Sequence, residues 1–167
     1  ICAGIGGLRS GFDFLTPLAK IEMWDVACKV LRAAKPWPAE CVFEGKAQDF
    51  NFKEFKGRVG LLCGGPPCQP WSQAGVRKGA QDPRDVMGFT PEAISDCEPE
   101  VFLFENVPGL ITAKEHQSYL KNLFRRMAVP EKGLRYGVSY IVLNAADFGV
   151  PQIRKRVFIL GVKHRSN

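Results

Sequence analysis

At 167 residues, 46% hydrophobic and 24% charged, the chain is sized for one folded core and is too apolar for a disordered segment. Its 23 Lys plus Arg against 17 Asp plus Glu give +6, a surplus that favours polyanionic partners such as nucleic acid without requiring one. Charges interrupt every apolar run before the roughly 18 residues a membrane helix needs. The six cysteines form no CxxC pair, so neither a zinc site nor a disulfide framework is expected, and a reducing, intracellular setting is.

Residues 1–3 read as the end of a strand running into the turn Gly4-Ile5-Gly6-Gly7, so the sequence is taken as an excerpt. A helix is predicted over residues 8–15 and a short strand over 20–23. Val26, Ala27, Val30, Leu31 and Ala34 then recur at helical spacing until Pro36 and Pro38. Strands are predicted at 41–43 and, more apolar, at 59–63, where Gly64-Gly65-Pro66-Pro67 ends the second. Residues up to about Arg84 have loop composition and exceed the usual length of a connection, which marks them as functional. A helix ending near Cys97 precedes a strand over 101–104, closed by Glu105-Asn106-Val107. Leu120, Leu123, Phe124 and Met127 share one face of a further helix. Strands at 138–143 and 157–162, joined by a short arginine-bearing connection, are suited to antiparallel pairing. The alternation predicts an α/β fold whose sheet is mostly parallel, with helices on both faces.

Ligands of such sheets bind at the carboxyl ends of strands. The glycine turn, Glu22, Cys68 and Glu105 all fall there. Glycines followed by an acidic residue suit a nucleoside cofactor, because the backbone can approach closely and a carboxylate can accept ribose hydroxyls. The spacing departs from GxGxxG, which argues against a nicotinamide dinucleotide. In Gly64-Gly65-Pro66-Pro67-Cys68-Gln69-Pro70-Trp71-Ser72, two prolines fix φ ahead of one thiol. Arg77, Lys78 and Arg84 would favour its thiolate, whereas Cys63 inside the strand reads as structural. Glu105 ends an apolar strand and is placed for an acid's role. Arg154 and Arg156, two residues apart after Gln152, would reach the same region. Surface charge is the plainer reading of such a pair.

Taken together, Ala3 to Gly7, Gly65-Pro66-Pro67-Cys68-Gln69, Glu105-Asn106-Val107 and Gln152-Ile153-Arg154-Lys155-Arg156 resemble, in content and order, the motifs of the cytosine-C5 DNA methyltransferases. The resemblance covers nearly all of residues 1–167 and implies a partial catalytic domain on a Rossmann-like S-adenosylmethionine-dependent sheet with an antiparallel C-terminal strand pair. The family's target-recognition region and C-terminal segment are expected beyond it. The implied reaction moves a methyl group from S-adenosylmethionine to C5 of a flipped-out cytosine in double-stranded DNA. Cys68 would add to C6, Glu105 would hold or protonate N3, and Arg156 with Arg154 would bind the O2 edge or a phosphate. Cofactor contacts are expected from Cys2, Ala3, Gly4, Ile5, Gly6, Gly7, Glu22, Met23, Asp49, Gly65, Pro67 and Met87. DNA contacts are expected from Gln69, Ser72, Gln73, Arg77, Lys78 and Gln152. Cys2 replaces the usual Phe, Lys46 an adenine-contacting Asp, and Gly60 an Asp. The resemblance further implies no metal, no membrane and a monomer, cytoplasmic in a bacterium or nuclear in a eukaryote, with restriction-modification as one setting. A tRNA methyltransferase of the same fold and a non-catalytic DNA-binding relative are the alternatives.

Overall fold

The computed structural model describes residues 1–12, 14–34, 38–67 and 85–165. Strands β1 (Lys20–Glu22) and β2 (Val42–Glu44) pair in parallel, with helix α1 (Asp25–Ala33) between them in sequence. After them come β3 (Leu61–Gly64), α2 (Val86–Cys97) and β4 (Val101–Asn106). A short α3 (Gly109–Thr112), α4 (Gln117–Ala128), β5 (Tyr136–Asn144) and β6 (Lys155–Lys163) complete the order. The second sheet runs β3-β4-β6-β5, with β3 and β4 parallel and β6 antiparallel to both of its neighbours. The last strand therefore inserts between β4 and β5 against the common direction.

Residues 1–3 join the two sheets. The Ile1 amino group donates to the Cys63 carbonyl at 2.7 Å, and Ala3 N–H donates to the Ile21 carbonyl at 3.0 Å. The predicted strand end thus lies in the seam between β1 and β3. A side chain at Gly64 would put its Cβ 2.2 Å from the Ile1 carbonyl oxygen, so only glycine lets the backbones come this close.

Alternation along the strands assigns the faces. Phe102 and Phe104 of β4, with Val157 and Ile159 of β6, are fully buried against Met87, Ala93 and Ile94 of α2 and Leu120, Leu123 and Met127 of α4. Burying a large apolar side chain of this kind contributes roughly 1.5–3 kcal/mol. Gly161 makes room for the Phe102 ring, which a Cβ would meet at 2.0 Å. Across β1 and β2, Ile21 lies opposite Phe43 and Lys20 opposite Val42. Ile21 and Phe43 accordingly join the main core, while Val42 packs with Cys28 and Leu31 of α1. Helices therefore cover both sides of the fold, as the sequence pattern predicts.

Two local outcomes differ from expectation, and a third feature shows how α2 accommodates a proline. The segment predicted as a helix over residues 8–15 is a 3-10 helix of Leu8–Phe12, because Ser10 and Gly11 are poor helix formers and no acid stabilises its first turn. In α1 Ala27 and Leu31 of the predicted set are buried together with Cys28, whereas Val26 and Val30 stay exposed, so the buried face is turned toward Cys28. In α2, Pro91 cannot donate to the Met87 carbonyl, and the Thr90 hydroxyl donates there instead at 2.7 Å.

Candidate active site

The carboxyl edge of the sheet is built from three places in the chain. At the first, Cys2 (φ 51°), Gly4 (φ 52°) and Gly6 (φ 96°) take left-handed backbone conformations, which turn the chain sharply after the seam. The turn is fastened by Glu22. Its Oε2 accepts from Gly4 N–H at 2.8 Å, and its Oε1 accepts from Met23 and Trp24 N–H at 2.8 and 2.9 Å. A carboxylate offers about four acceptor positions, so among the described contacts one on Oε2 is left unused. Beside it Ile5, Met23 and Trp24 are 65%, 65% and 58% exposed. Trp24 was not singled out from the sequence. Its exposed indole next to the carboxylate is the signal that finds it.

The second place is the end of β3. A Cβ on Gly65 would stand 3.3 Å from Glu105 Oε2, so the approach to Cys68 runs against the Glu105 carboxylate. Asn106, 4% exposed, fixes that approach. Its Nδ2 donates to the Pro66 carbonyl at 3.1 Å, and its Oδ1 accepts from Val107 N–H at 2.8 Å. Buried amides need such partners. The first bond could not be read from sequence, since Pro66 and Asn106 are 40 residues apart.

The third place is the start of β6. Arg156 Nε lies 2.7 Å from Glu105 Oε1, and both side chains are about three-quarters buried. Glu105 stands opposite Phe158 in the β4–β6 ladder, and antiparallel entry of β6 is what brings Arg156 to it. Arg154 stands two residues farther out. It is exposed, its N–H donates to Asn144 Oδ1 at 3.0 Å, and it makes no described contact with Glu105. The expectation that both arginines reach Glu105 thus holds for Arg156 alone.

Among the other sequence-predicted residues, Ala3 and Pro67 are half-buried, Gly7 and Gln152 are exposed, and Asp49 is exposed at the end of a short 3-10 helix. Met87 is 1% exposed and sits in the main core. It is the second residue of α2. Cys68, Gln69, Ser72, Gln73, Arg77 and Lys78 lie outside the described residues. Two thiols are held unreactive: burial pushes Cys2 up to about 11 and Cys97 up to about 12, far from the thiolate form at neutral pH. Among the described residues no cluster of three His, Cys, Asp or Glu could hold a metal, and no helix is long and apolar enough to cross a membrane. A cavity of about 480 Å³ opens among Glu98, Glu131, Arg135 and Lys163 at the far end of the sheet, and one of about 290 Å³ follows the apolar seam around residues 1–3. Neither contains Glu22 or Glu105, and the geometry of those carboxylates defines the site better than cavity size does.

Parallel pairs β1–β2 and β3–β4, a β6 antiparallel to both of its neighbours, a glycine turn tied to a carboxylate, and a Glu-Arg pair at one edge define a Rossmann-like methyltransferase fold. The family model for C-5 cytosine-specific DNA methylases matches residues 1–167, and the chain belongs to that family. It is 36% identical to the Type II methyltransferase M.AquIA of Picosynechococcus over 95% of this chain and 68% of that protein. To M.BanI of Aneurinibacillus aneurinilyticus it is 35% identical over 96% of this chain and 37% of that one. Among solved structures, a putative DNA modification methyltransferase from an Escherichia coli prophage matches with a TM-score of 0.73 at 28% identity, over 97% of this chain and 45% of that one. The Schizosaccharomyces pombe Dnmt2 methyltransferase matches with a TM-score of 0.72 at 19% identity, over 99% and 50%. The chain thus spans between about a third and two thirds of the relatives' lengths.

Proposed function

We propose that the protein containing this chain methylates C5 of cytosine in double-stranded DNA, with S-adenosylmethionine as donor and Cys68 as nucleophile. The observation that carries this reading is the placement of Glu105, paired to Arg156 at 2.7 Å and pressed against Gly65, three residues before Cys68. The glycine turn and the remaining acceptor position of Glu22 fit a nucleoside with ribose hydroxyls. When bound, the donor supplies an electrophilic methyl group on a sulfonium.

The residues of the chain do the rest. Cytosine C5 is a weak nucleophile. Addition of the Cys68 thiolate to C6 forms a carbon–sulfur bond and moves the ring's electron pair toward C5, which then takes the methyl group. Glu105 holds N3, where charge develops on addition, and Arg156 keeps that carboxylate oriented and meets the O2 edge. Loss of the C5 proton to a base and expulsion of Cys68 restore the aromatic ring. This geometry needs the cytosine outside the duplex stack. The chain forms one partial catalytic domain, and the protein works as a monomer inside the cell without a metal.

Tritium transfer from S-adenosylmethionine, measured in parallel on duplex DNA and on tRNA, tests the reading. Transfer to DNA that falls at least about a thousandfold in Cys68→Ser is the expected result. Transfer to tRNA alone would replace the substrate, and undiminished transfer by the serine variant would remove the mechanism.

A further inference from the structure

Residues 145–154 connect β5 to β6 and overhang the same edge as Glu105, because Asn144 pairs with Lys155 and Asn106 with Val157. The connection is tightly bonded. Ala145 N–H donates to the Arg154 carbonyl at 3.0 Å, Val150 N–H to the Ala145 carbonyl at 3.3 Å and Gln152 N–H to the Val150 carbonyl at 2.7 Å. Gly149, at φ 84°, ends the 3-10 helix Ala145–Phe148. On this braced backbone Phe148 is 69% exposed, Val150 46% and Ile153 83%. They add little to the core, and apolar side chains displayed on a rigid connection mark a contact surface.

Charge selects the occupant. Arg154 and Lys155 follow Ile153 directly, and Asp147 is the one acid among residues 145–156. Arg156 is taken by Glu105, whereas Arg154 and Lys155 enter no ion pair among the described contacts. Aromatic and aliphatic side chains followed directly by two cations that have no ion pair among the described residues fit a nucleic-acid strand, whose bases offer flat apolar faces and whose backbone offers phosphates. A protein partner would meet an apolar ridge with uncompensated positive charge.

We propose that Phe148 and Ile153 form a ridge that packs against the bases and sugars of DNA flanking the target cytosine, with Lys155 on a phosphate. The inference rests on the proposed DNA substrate and adds the residues that grip the strand beside it. Binding of a short fluorescein-labelled duplex, followed by anisotropy, tests it. In the Phe148→Ala, Ile153→Ser double variant, affinity should fall roughly tenfold or more, while Phe148→Trp keeps it. Lys155→Ala should lower the salt dependence by about one phosphate contact. Because the ridge is exposed, the thermal midpoint should not move, which separates lost contact from lost fold. Unchanged affinity in the double variant overturns the proposal. So does a change confined to self-association in light scattering, or to binding of tRNA. Failure of the unaltered chain to bind the duplex overturns it as well, and calorimetry with S-adenosylhomocysteine on the same sample reads the proposed function separately.

Discussion

The two halves of the carboxyl edge hold their carboxylates in opposite ways. Glu22 is tied by three backbone N–H groups, two in its own turn and one from Gly4, whereas Glu105 is held by one side chain, Arg156, delivered from a strand about 50 residues away in sequence. Beneath them the packing also differs. Glu105 ends a strand backed by the main core, and β2 with α1 rests on a small cluster of Cys28, Leu31 and Val42. A backbone-tied carboxylate is preorganised for a bound ligand. A side-chain pair can exchange its partner when a reacting group arrives. The first arrangement suits cofactor holding and the second suits chemistry.

Core truncations should sharpen the comparison most. Phe102→Ala removes a fully buried ring from under the Glu105 strand and should cost about 3–5 kcal/mol in denaturant unfolding. Leu31→Ala, in the smaller cluster, should fall near about 2 kcal/mol, the low end for such a change. Equal losses would mean that the halves share one core. Asn106→Ala comes next. Leaving the Pro66 carbonyl without its buried donor should cost about 1–3 kcal/mol and slow methyl transfer, since the approach to Cys68 loses its brace.

Glu22→Gln replaces an acceptor oxygen by a donor that faces backbone N–H groups. Calorimetric affinity for S-adenosylhomocysteine should drop roughly tenfold, with little change in DNA binding. An equal loss of DNA binding would break the division of roles. The smallest effect is expected at the far end of the sheet. Lys56 and Lys163 beside Glu98 hold its carboxyl below the usual carboxylate range. That contribution is present above the unfolded value of about 4.3 and is lost as pH falls through the lower folded value. Glu98→Gln should therefore narrow the stability difference between neutral and acid pH in thermal melts, and leave the site untouched.

Much of this was legible in the residues. β3 and β4 begin as apolar runs and are followed by Gly65-Pro66 and Val107-Pro108, and Glu22 and Glu105 sit where the alternation puts strand ends. Residues 1–3 read as a strand end because Gly4 follows at once; they bond across the seam between β1 and β3 but form no strand of their own. What failed was decided by tertiary contacts. The valines of α1 look like a core face, yet Ala27, Cys28 and Leu31 are the residues buried, since small side chains let the helix approach the short β1–β2 pair. Met87, expected among the cofactor contacts, packs in the core, where the cap at Asp85, which accepts from Gly88 N–H at 2.9 Å, starts α2 one residue before it. Arg154 and Arg156 look equivalent in sequence, and only the register of β6 against β4 distinguishes them.

The most direct test is a covalent trap. Duplex DNA carrying 5-fluorocytosine at target positions cannot lose the substituent at C5 after methyl transfer, so the ring stays bonded to the attacking sulfur. With S-adenosylmethionine present, the account predicts a denaturation-resistant protein–DNA adduct that maps to Cys68 and is absent in Cys68→Ser. An adduct at another cysteine, or methylation of ordinary DNA with no adduct on the fluorinated strand, would contradict it.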